Sequence, residues 1–270
     1  MVVSSRSECG LDTRMRSAMI AFPPDSLERS VILIEHRPFF SLGAIRRDWL
    51  DARLHFRFGE TGRAGHAPLG PLYVWNDDEF APHSGFGLHA HREVEIVTWV
   101  RSGAITHEDD AGNRARLVAG SVQAMSAGTA IHHAERNDED VPARLFQIWL
   151  RPRTPGGAPR WATRACSREL REGRFITLAS GDADDVAAGA LPINADARVR
   201  IATLREGTSM QHTLPMPWSA YLVADHGRLD VGHVRLAPRD GVAIRNQAQL
   251  TLTARDDMDV VIVERLRKDV

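Results

Sequence analysis

Residues 85–100 read GFGLHAHREVEIVTWV, with His89 and His91 one residue apart at the start of an apolar, β-branched run. In a strand, side chains at i and i+2 leave the same face, about 7 Å apart along the chain. Two such imidazoles can converge on one ion. A solvated polar face, or a hydrogen-bonded core pair, would show the same spacing. Residues 126–137 read SAGTAIHHAERN, where His133 and Glu135 repeat the i, i+2 pattern. Two such pairs on antiparallel strands of one β unit favour a shared metal site over coincidence. Three neutral imidazoles and one carboxylate suit a first-row transition metal, Fe(II) above all, with open positions for substrate or O2. The set is poor for Ca2+ or Mg2+, which take oxygen ligands. A closed structural zinc site would more often recruit cysteine.

Spacing alone leaves the carboxylate open. Glu93 and Glu95 share the parity of His91, so neither is excluded as a ligand. His132 has the opposite parity to His133 and is expected to face away from the ion. His83 and His107 fit the margin of a pocket, and fit a solvated turn or a core hydrogen bond better.

Strands must position these groups. Helical periodicity is scarce, and short apolar runs recur between Gly, Pro, Asp and Asn: VILIEH, PLYVWN, EIVTWV, AITHED, ARLVAG, SVQAMS and RLFQIWL. EDDAGNRA between two of them is a hairpin signal, since Asp110, Gly112 and Asn113 tolerate a positive φ. The stretch 152–160, PRTPGGAPR, is the strongest linker signal. After it the pattern restarts with RVRIATL, SAYLVADHGRLDVG, HVRLAP, GVAIRNQ, QLTLTA and MDVVIVERL. TWVRSGAIT followed by ARLVAGSVQAMS resembles YLVADHGRLDV followed by VRLAPRDGVAIRN. The reading is an all-β protein of two tandem antiparallel jelly-roll β-barrels.

Composition narrows the function. Across 270 residues, 34 Lys and Arg balance 35 Asp and Glu, so no basic footprint for direct nucleic-acid binding exists. The two cysteines, Cys9 and Cys166, exclude a disulfide framework and a CxxC zinc site, and fit a cytoplasmic setting. No apolar run approaches the roughly 20 residues of a membrane helix. MVVSSRSECGLDTRMRSAMIAF lacks the apolar core of a signal peptide and reads as a loosely ordered tail, with Met15 and Met19 as alternative starts.

GFGLHAHREVEIVTWVRSGAITHEDDAGN, VAGSVQAMSAGTAIHHAERN and LFQIWL together resemble the pirin family of bicupins, and bacterial pirin-like proteins with quercetin 2,3-dioxygenase activity in particular. RRDWLDARLHFRFGE and LYVWNDDEF fit the family's lead-in. The resemblance covers roughly residues 30–155, and 160–265 match only as a degenerate second cupin. It implies a tail over 1–28, a metal-binding cupin over 29–155 and a metal-free cupin over 156–270. It also implies one metal per chain, usually iron, held by His89, His91, His133 and Glu135. Cu, Ni, Mn, Co or Zn are compatible with the same set. Glu95 would then stand behind the ligands, and Glu135 would serve as catalytic base. Phe86, His132 and Met125 would line the pocket. Trp99 could do so too, though barrel core suits it better.

The implied reaction is cleavage of a flavonol such as quercetin with O2. The alternative implied is a regulatory metal-binding protein that acts by contact with a protein partner, a redox-sensitive transcriptional or metabolic-enzyme modulator. Ala90, Ala130 and His132 depart from the family pattern without removing a ligand. The second half has no HxH, since His212, His226 and His233 are scattered. Elemental analysis should therefore give one metal per chain, and a value near two contradicts the metal-free second barrel.

Overall fold

In the computed structural model, residues 33–266 are described. The expected tail over 1–28 lies outside them, with Cys9, Met15 and Met19. The first half forms β1 (Leu33–Arg37), β2 (Gly43–Arg47), β3 (Leu50–Leu54), β4 (Leu72–Phe80), β5 (Ser84–His91), β6 (Glu95–Ser102), β7 (Ala104–Asp109), β8 (Arg114–Val118), β9 (Ser121–Ser126), β10 (Ile131–Asn137), β11 (Ala143–Leu150) and β12 (Arg160–Ala165). A short helix α1 (Arg168–Arg171) follows, then β13 (Ile176–Ser180), α2 (Ala183–Ala187), β14 (Leu191–Pro192), β15 (Ala197–Leu204), β16 (Ser209–Thr213) and β17 (Ser219–Ala224). The chain closes with β18 (Leu229–Val231), β19 (Val234–Leu236), β20 (Gly241–Arg245), β21 (Gln249–Ala254) and β22 (Met258–Arg265).

Each half builds a seven-stranded and a four-stranded sheet. The first pair runs β12-β9-β6-β11-β4-β3-β2 and β5-β10-β7-β8. The second runs β1-β20-β17-β22-β15-β13-β14 and β16-β21-β18-β19. The orders correspond except at one edge, where β3 and β2 pair antiparallel but β13 and β14 pair parallel, so the weak repeat in the sequence is largely a repeat of topology. EDDAGNRA makes the predicted hairpin between β7 and β8. There Asp109 Oδ1 accepts the backbone N–H groups of Ala111 and Asn113, and Gly112 has φ 84°.

The edge strands are exchanged. β1 pairs with β20 of the second large sheet, and β12 pairs with β9 of the first. The Pro/Gly stretch therefore returns the chain to the first sheet, and the crossover between barrels follows β12. Composition cannot distinguish a loop back to the same sheet from a linker between barrels. We propose the division near 155/156 with these two strands exchanged.

The central strands of the large sheets are buried on both faces, which explains runs without polar alternation. On one face Trp75, Val97, Trp99, Phe146 and Ile148 of the first sheet share a core with Val199, Ile201, Tyr221, Val261 and Val263 of the second. On the other, Phe80, Val100 and Leu145 pack with Ile105 and Leu117 of the first small sheet. The joint between the halves also holds charge. Asp77, wholly buried, accepts from Arg101 Nη1 at 2.6 Å and from Arg239 Nε at 2.7 Å. The Arg101 Nε–H donates to Asp225. Burial alone would push Asp77 up, but the two guanidinium groups hold it below its usual range. Asp77→Ala would leave partly buried Arg239 without its anion and Arg101 with Asp225 alone. It should lower unfolding stability by about 3–5 kcal/mol in urea titrations, and a loss under about 1 kcal/mol would contradict this role.

Candidate metal centre

β10 lies between β5 and β7, and its register sets His133 opposite both His89 and Asp109. From there the pairing shifts so that Glu135 faces Phe86, which leaves one extra residue in β5. Such a bulge re-aims side chains where a sheet meets a site. Gly85 makes the close approach possible. Its φ is 142°, and an added Cβ would lie 2.3 Å from the Glu135 carbonyl oxygen.

The imidazoles converge. His89 Nε2 and His91 Nε2 are 3.1 Å apart, and the rings of His89 and His133 are 4.5 Å apart. His89 Nδ1 stands 2.8 Å from the Gly87 carbonyl in the bulge. A carbonyl only accepts, so Nδ1 carries the proton and Nε2 keeps a free lone pair. Two groups of metal-capable side chains overlap at His133: His89 with His91 and His133, and His107 with His133 and Glu135. Within each, the ligating atoms lie within 4.8 Å of one another.

Electrostatics suit a cation. Burial, with neighbouring imidazoles adding to it, pushes His91 and His133 down to about 3, so both are neutral donors at ordinary pH. Burial raises Glu135. Its Oε2 accepts from Gln147 Nε2 at 2.6 Å, while Oε1 is buried without a partner, as is His133 Nε2. Unpaired buried acceptors are costly. These atoms and the nitrogen-rich donor set fit a transition metal.

The rival carboxylates are engaged elsewhere. Glu93 accepts the Gly156 N–H at 3.0 Å. Glu95 Oε2 accepts from Ser126 Oγ at 2.7 Å and from the Asn194 N–H at 2.9 Å. Glu95 thus ties the first barrel to the second, and its hydrogen bonds do not orient an imidazole. His132 faces outward and lies 3.1 Å from Asp110, as parity predicts. His83 pairs with Asp140 at an exposed turn. Phe86 touches His89, with ring centroids 5.7 Å apart, and packs edge-on against Trp49. Met125 is 1 % exposed and packs with Val94, Ile96 and Ile131. It is core rather than cleft wall, because β9 is buried on both faces. Trp99 is core too.

Three residues around the centre carry more than their sequence signals suggest. His107 Nδ1 is 3.3 Å from His133 Nδ1, and its ring lies 4.6 Å from that of Trp161. Nothing in the spacing of RLFQIWL marks Gln147 and Trp149 as site residues. A lone amide in an otherwise apolar strand was the available signal.

Among the described residues, the second barrel shows no such cluster of imidazoles. His212 Nε2 is 2.6 Å from Glu264 Oε1, and Arg200 Nη1 lies 3.6 Å from the same carboxylate. A third group, Asp225 with His226 and Asp259, is already neutralised by Arg101 and Arg171.

Sequence profiles of two families match the chain, one described as Pirin over residues 39–150 and one as Quercetinase C-terminal cupin domain over 177–264. A pirin-like protein of Caulobacter vibrioides is 47% identical over 232 residues, covering 86% of this chain and 99% of the relative. A protein of Escherichia coli K12 named quercetin 2,3-dioxygenase is 31% identical, with 82% and 94% covered. The crystal structure of the E. coli bacterial pirin YhhW in complex with nickel(II) superposes with TM-score 0.80 at 28% identity, over 87% of this chain and 99% of that one.

The depressed histidines make stability depend on pH. An unfolded histidine takes a proton near 6.5, whereas His91 and His133 in the fold refuse one until about 3. Buried His55, also at about 3, behaves alike. The unfolded chain therefore binds more protons across this window, and stability falls as pH falls. For the metal-free protein the loss should be about 1.4 kcal/mol per pH unit for each such histidine. Denaturant titrations between pH 6.5 and 5 measure it, and His133→Asn should remove one histidine's share. An equal slope in that variant contradicts the assignment.

Proposed function

The chain belongs to the pirin family, and from that premise we propose that it is a metal-dependent dioxygenase that cleaves a flavonol such as quercetin with O2. The observation that carries this reading is the convergence of His89, His91 and His133, with Glu135 grouped to the same His133 and holding one buried, unpartnered oxygen. His89, His91 and His133 would hold the metal with Glu135, and iron is the proposed occupant. A bound metal of this kind supplies charge that eases ionisation of a coordinated hydroxyl and a route to O2 chemistry.

The protein's own groups do the rest. Glu135, as a weakly held ligand, is the base that would take the proton of the flavonol's enolic hydroxyl. Burial raises this carboxylate's affinity for a proton, which makes it a better proton acceptor than a solvated one. Phe86, held edge-on by Trp49 and Phe80, offers a rigid aromatic side beside His89. His107, with the Trp161 ring tilted against it, would fix the ring of His133 through Nδ1 and leave its unpartnered Nε2 to bind. Similarly named relatives and the nickel-bound relative support the assignment.

O2 uptake by metal-loaded protein, with and without quercetin, tests the reaction. Quercetin-dependent uptake that a chelator abolishes is expected, and no uptake across several metals and flavonols overturns it in favour of a regulatory role. His133→Ala should strip the metal. Glu135→Gln keeps size and an oxygen donor, so it should keep metal while losing turnover about 10²–10⁴-fold.

A further inference from the structure

We propose that Gln147 is a positioning residue, locked by Trp149, that restricts Glu135 to offering a single oxygen to the metal. This rests on the metal-site reading above and specifies how its one carboxylate is presented.

The argument starts from what each group can donate. The Trp149 indole N–H is a donor only. It lies 3.0 Å from Gln147 Oε1, so the amide's oxygen must face the indole. The amide nitrogen is then turned to Glu135 Oε2, 2.6 Å away. A flipped amide would oppose donor to donor at one end and acceptor to acceptor at the other. The chain from Trp149 through Gln147 to Glu135 therefore has one orientation. It commits Oε2 and leaves Oε1, buried and unpartnered, to meet a cation.

Trp149 acts twice. Its ring meets His91 edge-on, with centroids 4.9 Å apart at 84°. One side chain of β11 thus braces an imidazole directly and the carboxylate through an amide. Both supports come from the large sheet, whereas the groups they brace sit on β5 and β10 of the small one. The pair spans the barrel interior and fixes the two sheets against each other at the site. Thr98 lies opposite Gln147 on β6 and is equally buried, yet its hydroxyl oxygen has no hydrogen-bond partner. A generic polar core would not single out the one residue that reaches Glu135.

Cobalt(II) reports coordination through its visible absorption, independently of turnover. Wild type, Gln147→Leu, Trp149→Phe and Thr98→Val should be loaded with cobalt and their spectra and affinities compared. Trp149→Phe keeps the ring on His91 and removes only the N–H, so it serves even if Gln147→Leu fails to fold. Expected is one cobalt per chain in each, bound about 10–100-fold more weakly in the Gln147 and Trp149 variants. Their bands should change as Glu135 becomes free to offer both oxygens, while Thr98→Val matches wild type. In flavonol turnover, kcat should fall more than KM rises. Cobalt spectra and affinities that stay at the wild-type values in both variants overturn the positioning role alone. So does a Thr98→Val change as large as theirs. Wild-type protein that takes up no cobalt overturns the metal site itself.

Discussion

Antiparallel pairing of β5 with β10, in the register that sets His133 against His89, is the constraint on which the centre depends. A slip of one residue would turn every side chain of β10 to the other face. His132 would then point inward and His133 toward Asp110. Two local features hold the register. Gly85 allows the strands to close where any side chain would strike the Glu135 carbonyl. The extra residue beside it bends β5 and supplies the Gly87 carbonyl that fixes the His89 tautomer. The chemistry of the site is thus set by backbone geometry before any ligand arrives.

Much of this was legible in the sequence because strand parity is a strict rule. The i, i+2 spacing of His89 with His91 and of His133 with Glu135 placed each pair on one face, and the opposite parity of His132 turned it outward. The repeated strand–turn order made two barrels readable. Parity could not choose among Glu93, Glu95 and Glu135, since all three are compatible with it. That choice needed long-range partners, namely the Gly156 amide for Glu93 and the Asn194 amide for Glu95. The same limit hid the partner of β12, because pairing across a sheet leaves no mark on local spacing. Met125 misled for a related reason. An apolar residue near a motif says nothing about whether its strand is covered on one face or two.

The two barrels handle a buried carboxylate in different ways. In the first, Glu135 is met by one neutral amide and keeps an oxygen unpaired. In the second, Glu264 is wholly buried against His212, and its Oε2 too lacks a hydrogen bond, but Arg198 and Arg200 stand within 4 Å of the carboxylate. The second barrel therefore encloses its own cations on its own side chains. These partly buried guanidinium groups place positive charge from the chain itself beside that carboxylate. The same fold has been filled once by covalent charge and once with a donor set that awaits it.

The exchange of β1 and β12 bears on how the protein is made. A ribosome delivers β1 early and β20 near the end, yet these two are hydrogen-bonded neighbours. Throughout synthesis of the first barrel, Leu33–Arg37 has no sheet to join. Its Arg37, wholly buried in the finished protein beneath Phe56 and Tyr221, waits for Tyr221 as well. The earliest strand is completed by one of the latest. The strands of the first barrel's two sheets, β2–β12, all precede β13, so that barrel can close while the strand that leads into it stays unpaired until the second barrel is built.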